Sequence, residues 1–151
     1  MCIIDSMAHK HSNAQVYVWQ RGFKYTLTNG YTLSVAFGPG NYCDNRNQPF
    51  SPDETGYLSS DFEVAVFDPK DNIVDLFPAE EEGGWSDQVV GFVPASALPM
   101  LISALKFWPV RDEFKNEPET FEDKLRIRCT QFRYICKSFM DKVDKEAKAS
   151  V

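Results

Sequence analysis

The stretch Phe23-Lys24-Tyr25-Thr26-Leu27-Thr28-Asn29-Gly30-Tyr31-Thr32-Leu33-Ser34-Val35-Ala36-Phe37 sets two β-prone runs on either side of an Asn-Gly pair. That pair in that setting is the strongest short-range hairpin signal, because a type I′ turn needs positive φ at both central residues. In the second run Leu33, Val35 and Phe37 share one face while Thr32, Ser34 and Ala36 share the other. This period of two marks a half-buried strand. An antiparallel hairpin is therefore expected over residues 23–37. Gly38-Pro39-Gly40-Asn41 ends it, with Pro39 fixing φ between two residues that can bend the chain out of the sheet.

Moving outward, residues 41–60 are rich in Asn, Asp, Gln, Pro, Ser and Gly and lack periodicity, so they read as one long loop. Loops of that length are commonly functional or mobile. Residues 62–67 resume as a strand, Phe62, Val64 and Val66 opposed to Glu63, Ala65 and Phe67. Asp68-Pro69-Lys70-Asp71-Asn72 is turn chemistry, and residues 73–77 are expected to return as the partner strand of a second hairpin. After an acidic loop at 78–84, residues 88–93 supply a fifth strand. Ser96 stands where a helix N-cap would, and Leu98, Leu101, Ile102 and Leu105 give an apolar stripe running to about Phe107. A longer helix is predicted from Glu119 or Thr120 to about Ala147. Its apolar face holds Phe121, Leu125, Cys129, Phe132, Ile135, Cys136, Phe139, Met140 and Val143, with Ile127 and Tyr134 opposite.

Strands first and helices last imply an α+β fold: an antiparallel sheet of about five strands, two hairpins plus one strand, followed by two helices packed on one face. The 151 residues suit one domain of common size. Residues 1–14 are expected to form a flexible arm and 15–151 the folded body. The apolar runs at 89–93 and 97–105 stop well short of the ~20 residues of a membrane span. Asp5 and His9 interrupt the apolar core that a secretion signal would need, so a cytoplasmic protein is expected, with no membrane partner.

Charge narrows the function. A net charge of -6 argues against direct nucleic-acid binding, which rests on Lys and Arg neutralising phosphates. Residues 47–105 hold eleven acidic side chains against Lys70 alone. The one-sidedness suggests an acidic face for a basic partner, with Glu80, Glu81, Glu82, Asp87, Asp53 and Glu54 as its candidate residues. Tyr42, Phe50, Tyr57 and Trp85, and also Trp108, are candidate aromatic anchors, since Tyr and Trp dominate interface hot spots.

Catalytic and metal chemistry find less support. The two histidines, His9 and His11, both lie in the arm, which leaves no base for a Ser-His-Asp or Cys-His mechanism in the folded body. No catalytic residue and no metal site is assigned, and no cofactor is called for. The four cysteines, Cys2, Cys43, Cys129 and Cys136, show no Cys-x-x-Cys pairing, and Cys129 and Cys136 on the buried stripe are expected to pack as small hydrophobes. Asp68, Asp71 and Asn72 resemble a piece of a calcium loop, yet the glycine and the distal acid of that loop are missing and a turn explains them better. Carboxylate-only chemistry is the alternative, since Asp44, Asp53, Glu54 and Asp61 share the long loop.

Asn29-Gly30-Tyr31 with Leu33, Ser34 and Val35, then Gly38, Phe62-Glu63-Val64-Ala65-Val66, Asp87, Val89-Val90-Gly91-Phe92-Val93 and a helix with Leu98 and Ile102 resembles small uncharacterised proteins of bacteriophages and prophages, over about residues 23–105. The resemblance implies an accessory protein acting in the host cell on a host protein, one concerned with defence or nucleic-acid handling. The expectation that follows is a non-enzymatic binder whose acidic surface blocks a basic, nucleic-acid-binding groove. Two alternatives stand beside it: a small carboxylate- or metal-dependent enzyme or nucleotide-binding protein, and a homodimer formed through the final helix around Ile127 and Tyr134.

Overall fold

The computed structural model describes residues 21–49, 59–76 and 88–150. Strands β1 (Arg21–Thr26), β2 (Thr32–Phe37), β3 (Asp61–Phe67) and β4 (Val89–Pro94) form one antiparallel sheet in chain order. Two helices follow, α1 (Leu98–Lys106) and α2 (Pro118–Ala149), with short 3-10 turns at Ala95–Ala97 and Arg111–Phe114. The α+β class is thus as expected, with four strands among the described residues where five were predicted. Residues 73–76 do not become a strand. They make one bridge, Phe67 to Ile73, and one bond from the Val74 N–H to the Val66 carbonyl. A strand has only two edges, and β3 gives one to β2 and the other to β4 along Asp61 to Ala65, so only its last two residues are left for this segment.

The pairing Tyr25–Leu33–Val66 and Phe23–Val35–Val64 sets large apolar side chains on one face of the sheet. Leu33, Val35, Val64, Val66, Val90 and Val93 there join Leu101 and Leu105 of α1 and Cys129, Phe132 and Cys136 of α2 in a single core. The stripe predicted for the long helix is the buried one as far as Cys136. Ile127 and Tyr134 are exposed, and so is every residue from 141 to 150. Pro118, with its fixed φ and missing donor, opens α2 slightly earlier than predicted. Ser96 does not cap α1. It lies inside the preceding 3-10 turn, and the capping position falls to Ala97 without a side-chain bond. Pro99 removes one of the first-turn donors that would otherwise need an acceptor. Among the described residues no helix is long and apolar enough to cross a membrane.

The first hairpin turns one residue wider than a type I′ loop. Leu27 N–H donates to the Tyr31 carbonyl at 2.8 Å, Gly30 N–H donates to the Leu27 carbonyl at 2.9 Å, and Gly30 alone in the loop has positive φ, at 86°. This is the three-residue loop with a left-handed closing residue. It leaves the Asn29 side chain free to turn inward, where Nδ2 donates to the Leu105 carbonyl at 2.9 Å. The carbonyls of Lys106 and Trp108 lie at 3.4 Å. A hairpin tip therefore serves the C-terminal carbonyls of α1, which have no partners within the helix.

Asp68 to Asn72 repeats the plan. Asp68 N–H donates to the Asn72 carbonyl at 2.8 Å, Asp71 N–H to the Asp68 carbonyl at 2.9 Å, and Asp71 occupies the left-handed position with φ 65°. The Asp68 carboxylate accepts from the N–H groups of Lys70 and Asn72 and from the Asn72 side chain, so the turn itself uses the oxygens that suggested a calcium loop. Since only glycine adopts that φ without steric penalty, Asp71→Gly is expected to raise stability by about 0.5–1 kcal/mol, read from the urea midpoint. A fall in the midpoint would show that the Asp71 side chain does something in the turn besides tolerate it.

Candidate functional site

At the far edge of the sheet, β4 carries a bulge. Val64 pairs with Val90 and Phe62 with Val93, so Glu63 alone faces both Gly91 and Phe92. Phe92 adopts φ 56°. For an aromatic residue this is a conformational outlier costing about 1–2 kcal/mol, and such outliers concentrate where function holds them. The ring is not rewarded by burial either, being 46% exposed.

Gly91, next to it, has a different reason to be glycine. A Cβ there would lie 2.3 Å from the Tyr42 Cβ, so residue 91 must be bare for Tyr42 to sit against the strand. The Tyr42 backbone closes the contact on both sides: its carbonyl accepts from Phe92 N–H at 2.8 Å, and its N–H donates to Glu63 Oε2 at 3.0 Å. Tyr42, like Phe92, is nearly half exposed at 42%. The Arg46 guanidinium lies 4.4 Å from its ring centre, a cation–π contact that steadies the ring in place.

What presents Tyr42 is the described part of the long loop, which is no open coil. Gly38 and Gly40 take positive φ and fold the chain back, as read from the sequence. Asn45, almost wholly buried, accepts Gly38 N–H at 2.9 Å and the Cys43 thiol at 2.8 Å through Oδ1. Gly40 N–H reaches the Arg46 carbonyl. Asp44 then ties this knot to the start of β3. Its N–H donates to Asp61 Oδ1 at 2.7 Å, while its carboxylate accepts from the Ser59 hydroxyl at 2.6 Å and from the Ser60 N–H and hydroxyl.

These bonds push two neighbouring carboxyls apart. The Ser59 hydroxyl and the donors of Ser60 and Asn45 outweigh desolvation and hold Asp44 below the usual carboxylate range. Burial, with the charge of Asp44 nearby, raises Asp61. Both oxygens of Asp44, and Oδ1 of Asp61, are already accepting from the chain, so the pair braces the loop. Asp44, Asp61 and Glu63 thus tie the Tyr42 loop to β3, while the charge against the Tyr42 ring itself is the Arg46 guanidinium.

Of the anchors and acids singled out in the sequence, Tyr42 is placed here, with Asp44 and Asp61 of the carboxylate alternative beside it. Phe50, Tyr57, Trp85, Asp53, Glu54, Glu80, Glu81, Glu82 and Asp87, and the arm at 1–14, lie outside the described residues. Trp108 is no surface anchor but part of the core, 3% exposed. Burial raises the thiols of Cys129 and Cys136 to about 12, which makes them poor nucleophiles. No three His, Cys, Asp or Glu side chains converge as metal ligands among the described residues. Phe92 was missed by the sequence reading, although Gly91 inside a strand pattern is itself the mark of a bulge. Comparison with protein-family models, with curated proteins and with solved structures finds no match to this chain.

Proposed function

We propose that the protein is a non-enzymatic binding protein whose recognition surface is the Tyr42–Phe92 edge of the sheet, and that it covers a basic, partly apolar surface of a host protein in the manner the phage resemblance implies. The carrying observation is that Phe92 is held in left-handed backbone and left nearly half exposed, on a bulge that also seats Tyr42. Exposed rings on a rigid backbone lose little entropy on binding, and the three carboxylates of Asp44, Asp61 and Glu63 bonded into the Tyr42 loop and strand start, against the one cation Arg46, favour a cationic partner and speed encounter with it. Self-association through α2 draws less support: residues 124–140 carry Lys124, Arg126, Arg128, Arg133 and Lys137 and no acid, so two copies of that helix would oppose like charges.

A photo-reactive residue at position 42, compared with one at Gln131 on α2, tests the surface in host lysate. One dominant, salt-sensitive adduct is expected from position 42, absent from position 131 and strongly reduced by Phe92→Asn. That substitution should keep stability within about 1 kcal/mol of wild type, since relief of the left-handed backbone offsets a half-buried ring. Adducts equal at both positions, or untouched by Phe92→Asn in a folded protein, would remove the basis for this reading.

A further inference from the structure

The Asn-Gly pair that marks the first hairpin is also, chemically, the dipeptide that loses its side-chain amide most easily. With no Cβ on the second residue to shield it, the backbone nitrogen can swing onto the preceding carboxamide. Asn29-Gly30 is the one such pair in the chain. In the fold both reacting groups are tied down. Gly30 N–H donates to the Leu27 carbonyl at 2.9 Å, Asn29 Oδ1 accepts from Tyr31 N–H at 3.4 Å, and Asn29 Nδ2 donates to the Leu105 carbonyl at 2.9 Å. The first two bonds belong to the hairpin itself. The third reaches α1 and is lost whenever the helix end undocks.

The hydrolysed side chain fits this site badly. A carboxylate at position 29 sets acceptor oxygens against the carbonyls of Leu105, Lys106 and Trp108, which lie at 2.9, 3.4 and 3.4 Å from Nδ2, and it does so at the negative end of α1. An isoaspartyl residue fits worse still. Its backbone runs through the side-chain carbons and lengthens a loop that the bonds of Leu27 to Tyr31 and Gly30 close tightly.

We propose that Asn29 is a site of spontaneous covalent modification, guarded by the docked end of α1. When that end undocks, the Gly30 nitrogen bonds to the side-chain carbonyl carbon of Asn29, the bond from that carbon to Nδ2 breaks, and ammonia leaves with the Gly30 amide proton. Water then opens the cyclic imide at either carbonyl, giving an aspartyl or an isoaspartyl residue. Neither product restores the bond to α1, so each molecule undergoes the change once and keeps it. The site is separate from the Tyr42–Phe92 surface, and either reading can fail without the other.

Peptide mass mapping of the full chain, aged in mildly alkaline buffer with and without concentrated urea, tests the proposal. In urea Asn29 is expected to convert well ahead of Asn72 and Asn116, which precede Ile73 and Glu117. In the native protein its conversion should be about tenfold slower or more, because only undocked molecules react. Gly30→Ala, read in urea, should slow conversion severalfold by shielding the attacking nitrogen. Ala104→Gly, which weakens α1 by one methyl group, should speed conversion of the native chain about fivefold and leave the rate in urea unchanged. Asn29→Asp, like the aged native protein, should unfold roughly 3–8 °C lower. Conversion as fast in native protein as in urea, a native rate indifferent to Ala104→Gly, or an unchanged midpoint for Asn29→Asp would each overturn the proposal.

Discussion

Phe132→Ala is expected to lower the free energy of unfolding by about 3–5 kcal/mol, the range for deleting a fully buried ring. Phe132 is 0% exposed and sits at the end of a chain of rings. It meets Trp108 edge-on at 5.8 Å between centres, and Trp108 meets Tyr31 edge-on at 5.4 Å. The three rings come from α2, from the connector after α1, and from the first hairpin, so one cavity would loosen all three. Against a total of about 5–15 kcal/mol typical of a domain, such a loss leaves a variant close to its unfolding threshold. Denaturant titration should show a large fall in midpoint, with Phe132→Leu costing less than half as much. A loss under about 1 kcal/mol for the alanine variant would mean that the ring stack does not hold the helices to the sheet.

Gly91→Ala should cost about 1–3 kcal/mol, the scale of overpacking in a closely fitted site. Most of the effect should be local. The added methyl would meet the Tyr42 Cβ at 2.3 Å and the Tyr42 carbonyl oxygen at 3.3 Å, neither of them the far end of a flexible side chain. Tyr42 must then withdraw, and both backbone bonds that seat it, to Phe92 N–H and to Glu63, lengthen or break. Amide hydrogen exchange should report faster exchange at Tyr42 and Phe92, with core amides of β2 and β3 changed only by the global destabilisation. Retained protection at Phe92 would show that the strand and the loop do not constrain each other. The contrast with Phe92→Asn is informative, since that change removes the ring and keeps the bulge.

The sequence was legible where the physics is local. The alternation of Leu33 and Val35 marks the buried face of β2, with Phe37 at its end only partly buried, and the spacing of Phe121, Cys129, Phe132 and Cys136 marks the buried face of α2; both follow from one element's period. The turn residues at Asn29-Gly30 and at Asp68 to Asn72 likewise name their own bends. Illegible were the features fixed by competition between distant segments. Residues 73–76 read as a strand because nothing local says that β4 takes the edge of β3 they would need. Residues 41–49 read as a loose loop because the partners of Asp44 and Tyr42 are Ser59, Ser60, Asp61 and Glu63, well along the chain. For the candidate surface the same split holds. Tyr42 was named for its type, whereas Phe92 becomes conspicuous only through a φ that no propensity announces.

The bond from Asn29 to the end of α1 carries a consequence for how the molecule opens. A nine-residue helix is too short to persist by itself in water, and a two-stranded hairpin is marginal at best. Here a single carboxamide makes each depend on the other across 76 positions of chain. Fraying of the helix end costs the hairpin tip its bond, and slippage of the hairpin leaves the Leu105 carbonyl with backbone donors alone. The two are therefore expected to open as one cooperative unit, although they lie far apart along the chain.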